Sequence, residues 1–202
     1  MIRNIVFDFG GVLVDWNPEY LFRGVFSDKS ELDYFLEHVC TPDWNEQQDA
    51  GRPLAEAVRI LQQRHPKYRD EIHLYYDKWT TMLGGPIEDN VALLKPLQAH
   101  YRLFGLTNWS AETFPIAYDL YPLFKAFEGI VISGEEKLKK PDKRIYLRLL
   151  DRYALTAAES LFIDDNLRNI RAALALGFKA IHLQDNTCLR KELLQLEIQG
   201  LE

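Results

Sequence analysis

The chain is poor in the residues that mark several common classes of protein. Its 202 residues include only two cysteines. Cys40 and Cys188 lie too far apart to show metal-binding spacing, so they are read as two buried free thiols in a reducing compartment. The five histidines are scattered and form no ligand pair. No apolar run approaches the ~20 residues that cross a bilayer, which excludes a membrane-spanning helix. The N-terminus enters a strand at once, without the basic segment, apolar stretch and cleavage site of a secretory signal, and a cytoplasmic protein is expected. Cations are in the minority, with 24 Lys and Arg against 30 Asp and Glu for a net charge of −6. Non-specific nucleic-acid binding runs on clustered cations, so a nucleic-acid partner is not expected.

What is present is a hydrophobic content of 47% and a charged content of 27%, the balance of an ordinary globular domain. The first segment carries most of the information. The apolar run Ile5-Val6-Phe7 ends abruptly in Asp8, and Gly10 and Gly11 follow. Physically, a buried strand delivers one carboxylate to its C-terminal edge and then turns sharply. In open parallel α/β sheets that edge is where ligands bind.

Four further runs of strand length follow: Tyr101–Thr107, Gly129–Ser133, Ser160–Asp164 and Lys179–Leu183. They show little polar alternation, as expected of strands buried on both faces. Helical patterns lie between them at Asp89–Ala99, Ala111–Leu120, Lys143–Tyr153 and Asn166–Leu176, the last closed by Gly177. The alternation predicts an α/β fold, a doubly wound parallel sheet with helices on both faces. Residues 17–85 break the rhythm and read as amphipathic helices near Pro18–Phe26, Ser30–Val39, Leu54–Arg64 and Tyr68–Met82, with Ser30 and Thr41 as N-caps. The expected organisation is a core of residues 1–16 and 86–202 with an inserted all-helical cap, 17–85, over Asp8. The residues after Leu194 are expected to fray.

Three later features fall at strand ends. One strand finishes in Leu106-Thr107-Asn108, another is followed by a loop that pins Lys140 before Pro141, and a third ends in Asp164-Asp165-Asn166. The topology gathers Asp8, Thr107, Asn108, Lys140, Asp164 and Asp165 around one crevice. Paired acids, a fixed cation and small hydrogen-bonding groups suit a divalent metal and a phosphoryl group. Each has a plainer reading as well. Asp8 and Asn108 are common turn residues, Thr107 suits a strand, Asp164 or Asp165 suits a helix cap, and Lys140 has solvated lysine neighbours.

Four motifs in order, FDFGGVLVD at Phe7–Asp15, LTN at Leu106–Asn108, KKPDKRIY at Lys139–Tyr146 and FIDDN at Phe162–Asn166, resemble those of the haloacid dehalogenase superfamily over nearly the whole chain. Within it, the chain most resembles the sugar-phosphate phosphatase branch that includes α-glucose-1-phosphate phosphatase. That resemblance implies a Mg²⁺-dependent phosphatase acting on a small phosphorylated metabolite, with a hexose phosphate the first guess. It makes Asp8 the nucleophile that forms an aspartyl-phosphate. Asp8, Asp165 and the Gly10 backbone carbonyl would hold Mg²⁺, with Asp164 as third ligand or outer partner. Thr107, Asn108 and Lys140 would bind phosphate oxygens.

The same superfamily supplies a rival, a metal-free 2-haloacid dehalogenase. Members of that kind carry small neutral residues where this chain has Asp164 and Asp165, and adjacent carboxylates in a metal-free site would repel one another and Asp8. A third reading is a weakly catalytic regulator that binds a phosphometabolite. It is prompted by a departure from the superfamily pattern: many of its phosphatases carry a second Asp two residues after the nucleophile as general acid and base, and here that residue is Gly10. Asp15 and Asn17 are near in sequence. Among the tryptophans, Trp79 reads as core, while Trp16 and Trp109, next to motifs, are expected to line the entrance. The run Trp44–Asp49 is read as facing the crevice or as a solvated loop, and the sequence gives no oligomeric state.

Overall fold

The protein is described here by a computed structural model covering residues 1–184 and 187–201. The described residues contain seven short strands: β1 (Asn4–Phe7), β2 (Val14–Trp16), β3 (Leu83–Pro86), β4 (Arg102–Thr107), β5 (Gly129–Ile132), β6 (Ser160–Asp164) and β7 (Lys179–His182). Five of them form one sheet in the order β5-β4-β1-β6-β7, and all its pairings are parallel. This is the expected α/β architecture, with β1 at the centre.

Alternation of side chains along the strands explains why both faces must be covered. Ile5 and Phe7 of β1 join Leu103, Leu161 and Ile163 in one apolar layer. Val6 joins Phe104, Leu106 and Phe162 in the other, under Ile145, Tyr146, Leu149, Ile170 and Ala173 from the helices Lys143–Arg152 and Leu167–Ala175. Gly105 is a glycine for space: a Cβ there would collide with the Phe9 ring. Removing that side chain lets Phe9 cross the sheet face and pack against Phe114, Phe124 and Phe127.

Between β2 and β3 the chain is mainly helical, including Glu19–Phe22, Lys29–Tyr34, Pro42–Asp49, Leu54–Arg64 and Arg69–Asp77. Several expectations are corrected here. Asp28, not Ser30, caps the Lys29–Tyr34 helix: its extended backbone lets the carboxylate accept from the Ser30 N–H. Thr41 does cap the next helix, accepting from the Trp44 N–H at 3.1 Å. That helix, Pro42–Asp49, occupies the run weighed as a solvated loop, and it buries Trp44 and Gln48. The helix expected over Tyr68–Met82 stops at Asp77, where β-branched Thr80 and Thr81 follow and the chain tightens into a 3₁₀ turn. β3 was not expected at all. It pairs antiparallel with β2 through Leu83, Gly85 and Pro86, with a register shift at Gly84, where a Cβ would strike the Asp15 carboxylate.

In the core, the helix expected at Asp89–Ala99 is split into Glu88–Val91 and Leu94–Gln98. Pro96 has no N–H to return to Ala92, which removes the bond that would bridge the break. Gly177 closes the Leu167–Ala175 helix at φ +89°. The C-terminal residues do not fray as expected: Ile198 and Leu201 are buried in the core, and the Gln199 N–H donates to the Tyr101 hydroxyl. Cys40 is buried as read, whereas Cys188 is exposed. Among the described residues, no helix is long and apolar enough to cross a membrane.

Candidate active site

The parallel register sets the site. The Asp8 N–H donates to the Ile163 carbonyl at 2.8 Å, extending the β1–β6 ladder one residue past Phe7↔Ile163. Asp8 therefore stands beside Asp164, the last residue of β6. Thr107 ends β4 on the other side of β1. Lys140, in the loop beyond β5, reaches in from that side.

Lys140 is the hub. Its ammonium is buried and lies 2.7 Å from Asp164 Oδ2 and 2.9 Å from Asp8 Oδ2. Its backbone is clamped by Asn108, whose Nδ2 donates to the Lys140 carbonyl at 3.0 Å and whose Oδ1 accepts from the Lys140 N–H at 2.8 Å. The Asn108 side chain, expected from sequence to bind phosphate, thus also holds the Lys140 backbone.

The two adjacent acids differ sharply. Asp164 is fully buried and saturated: it accepts from Lys140 Nζ, from the Asn166 N–H and, on both oxygens, from Asn169 Nδ2. Neither Asp164 nor Asp165 caps the following helix; Asn166 does, accepting from the Arg168 N–H. Asp165 turns its carboxylate toward Gly11, where φ is +70° and a Cβ would collide with Asp165 Oδ2. Asn169, which sequence reading missed, sits in the first helical turn after the motif, and nothing in the motif itself marks it.

Electrostatics follow from burial. Burial lifts the Asp8 carboxyl to about 7; Lys140 opposes the rise, and Asp164 and Asp165 add to it. Asp165 is raised too, by burial and then by Asp164. Burial depresses the Lys140 ammonium, but Asp164 and Asp8 outweigh it, and the net shift is upward. Three carboxylates, each offering an oxygen within 4.8 Å of the others, form an all-oxygen cluster from Asp8, Asp164 and Asp165. Hard divalent cations favour such donors, so the residues fit Mg²⁺. The Thr107 hydroxyl is buried with no partner, an uncommon expense unless a ligand oxygen completes it.

Two cavities beside this cluster share Trp16, Asn45, Asp49 and Asn108 in their walls. One, of about 490 Å³, is lined by Asp8, Asp165 and, from the helical segment, Cys40, Asn45, Asp49 and Tyr75. The other is a slot of about 130 Å³ walled by Trp16, Tyr76, Trp79 and Trp109 over Gly10. Trp16 and Trp109 do line the opening. Trp79 is both buried, as expected, and part of the slot wall. Arg23 is paired with Glu19, and Arg52 binds Gln47, Gln48 and the Trp44 carbonyl. Of the run Trp44–Asp49, read as facing the crevice or as a solvated loop, Asn45, Glu46 and Asp49 do line the cavities, and the sequence did not single out Asp49.

A parallel α/β sheet whose central strand ends gather carboxylates around a buried lysine defines a class of hydrolases. The chain belongs to the haloacid dehalogenase-like hydrolases: the model of that family matches residues 5–183. It is similar to the sesquiterpene phosphatase astK of Aspergillus oryzae, 28% identical over 198 residues that cover 95% of this chain and 94% of the relative. Among solved structures, its fold is shared by the HAD family enzyme bt-2542 of Bacteroides thetaiotaomicron in a magnesium complex, with TM-score 0.74, 20% identity and coverage of 95% and 98%. It is shared as well by the L-2-haloacid dehalogenase of Xanthobacter autotrophicus, with TM-score 0.65, 17% identity and coverage of 100% and 86%. Fold similarity therefore does not fix the chemistry, and the site residues must decide it.

Proposed function

We propose that this enzyme is a Mg²⁺-dependent phosphatase that hydrolyses a small phosphomonoester through an aspartyl-phosphate on Asp8. The observation that carries this reading is the buried Lys140 ammonium shared by Asp8 and Asp164, with the Asp165 carboxylate completing the cluster. A haloacid brings no dianion to the reacting carbon, and for it such a cluster is surplus. A phosphate dianion needs the cations. Two unit charges ~4 Å apart interact by roughly 4 kcal/mol at an effective dielectric near 20, and a carboxylate meeting a dianion faces about twice that repulsion.

In this reading Asp8, Asp165 and the Gly10 carbonyl hold the cation, and Asp164, saturated by Lys140, Asn166 and Asn169, orients the lysine. When bound, Mg²⁺ supplies charge neutralisation between carboxylate and phosphoryl oxygens. Lys140 opposes protonation of Asp8 and donates toward the phosphoryl group, while the Thr107 hydroxyl donates to another of its oxygens. The Asp8 carboxylate attacks phosphorus as the ester bond to the leaving oxygen breaks, and water then hydrolyses the aspartyl-phosphate. The helical segment 17–85 acts as a cap that limits water and substrate size.

Resemblance to the glucose-1-phosphate phosphatase branch favours a sugar phosphate. A specific observation favours a second substrate class: the Trp16, Trp79 and Trp109 slot suits an apolar alcohol, in keeping with the terpenoid named for the Aspergillus relative. A panel of hexose, isoprenoid and aryl monophosphates assayed with and without Mg²⁺ tests the reading. Mg²⁺-dependent phosphate release is expected, with a loss of about 10³-fold or more in Asp8→Asn. Halide release from a 2-haloacid without metal would establish the dehalogenase instead. Mg²⁺-dependent ligand binding without turnover would establish the regulator.

A further inference from the structure

The proposed chemistry needs a proton for the leaving alcohol, and neither sequence neighbour is free to give one. Gly10 has no side chain, Asp15 accepts a 2.6 Å hydrogen bond from the Tyr20 hydroxyl, and Asn17 Oδ1 accepts from the Glu19 N–H. Yet the space for a proton carrier is there. Gly10 faces the aromatic slot, and a Cβ built on it meets nothing within 4 Å.

One acid reaches that space from the opposite wall. Asp49, at the end of the Pro42–Asp49 helix, lines both the cavity that holds Asp8 and the aromatic slot over Gly10. Among the described residues, only Trp16, Asn45 and Asn108 share that double position, and none of them is an acid or base near neutrality. An ester with its phosphorus at Asp8 and its alcohol in the slot must run its bridging oxygen through this junction.

We propose that Asp49 is the general acid and base of this active site, entering from the helical segment to do what no side chain at Gly10 can do. The inference rests on the phosphatase reading above. As Asp8 Oδ bonds to phosphorus and the phosphorus–alcohol oxygen bond breaks, the neutral Asp49 carboxyl passes its proton to that oxygen. In the second step the Asp49 carboxylate takes a proton from water as the water oxygen attacks phosphorus and the bond to Asp8 breaks. One proton leaves and one returns, so the enzyme is regenerated.

The surroundings suit the role. Burial raises the Asp49 carboxyl to about 7, with Glu46 adding to the rise and Lys139 and the Ser110 backbone opposing it. Tyr75 and Tyr76 face it from the Arg69–Asp77 helix, and their own hydroxyls are held neutral by burial. A group of that strength is neutral often enough to donate and ionised often enough to accept near neutral pH.

The test compares wild type, Asp49→Asn, Gly10→Asp and the double variant on a primary alkyl phosphate and on p-nitrophenyl phosphate. Asp49→Asn is expected to lower kcat on the alkyl ester by about 10²–10⁴-fold. The aryl ester, whose leaving group needs no proton, should keep a phosphorylation burst within about tenfold of wild type, followed by accumulation of phosphoenzyme. Gly10→Asp should restore alkyl turnover in the Asp49→Asn background. An Asp49→Asn variant as active as wild type on both esters overturns the inference, as does an equal loss on both without rescue. If Asp49→Asn does not fold, the single Gly10→Asp variant decides. A gain of a few-fold at most on the alkyl ester fits an acid already in place, and a gain of 10²-fold or more overturns it. A wild type inert toward every ester with Mg²⁺ would instead defeat the phosphatase reading itself.

Discussion

Lys140 sits between two carboxylates with almost no water to share the charge. Removing one member of such a buried set leaves the rest uncompensated, which costs about 3–5 kcal/mol. Lys140→Met is therefore expected to lower unfolding free energy by that amount in urea titrations, as well as to abolish turnover. Asp49 behaves in the opposite sense. Its carboxyl lies near 7 folded against an ordinary 3.8. Below pH 4 both states are protonated and nothing is lost. As pH rises toward 7 the unfolded side chain ionises and the folded one does not, so stability falls progressively and levels off above 7. Asp49→Asn should then be more stable than wild type by an amount that is near zero at pH 4 and reaches about 2–4 kcal/mol at pH 8, the lower end reflecting partial solvent screening. Chemical denaturation at pH 4, 6 and 8 checks this. Asp8, Thr107, Lys140, Asp164 and Asp165 were legible in the sequence because each ends a strand or abuts a proline, where a polar side chain interrupts an apolar pattern. Asn169 was not, and Asp49 only as one unmarked member of the run Trp44–Asp49. Their surroundings are made by tertiary packing, of Lys139 and two tyrosines in one case and of Asp164 in the other.

The turn after β1 couples backbone form to the acid cluster. Gly11 holds φ +70° and leaves room for the Asp165 carboxylate. Gly11→Ala should cost about 1–2 kcal/mol from the left-handed backbone alone, and the collision should push Asp165 aside. Isothermal titration is expected to show Mg²⁺ affinity weakened about tenfold or more. The five parallel strands were legible because burial on both faces leaves continuous apolar runs. The β2–β3 ribbon was not, since Leu83-Gly-Gly-Pro86 has almost no strand propensity and forms only because the chain re-enters the core beside Val14. The Pro42–Asp49 helix was hidden by its polar composition, with Trp44 as its main apolar anchor.

Across the molecule, Glu46 joins parts that are far apart in sequence. It pairs with Lys139 in the loop beyond β5 and with Arg168 at the start of the Leu167–Ala175 helix, the latter at 3.4 Å. These half-exposed pairs sum to about 0.5–1 kcal/mol. Glu46→Gln should accordingly raise KM about two- to fivefold, with the gap between variant and wild type closing above 0.5 M salt. The architecture as a whole was legible from the rhythm of strands and helices; how the helical segment seats on the sheet was not, because apolar side chains scattered through residues 17–85 join the sheet's own core to decide it. Asp8 and Asp164 hang from neighbouring rungs of the sheet's central pair, so warming offers no stage at which the rungs endure while the two acids drift apart. The roof over them belongs to the same buried apolar cluster as the sheet, with Trp79 edge-on to Trp109, and the Glu46 pairs add only a little. A heated sample should therefore lose selectivity and turnover together, in one step, when the whole ladder lets go.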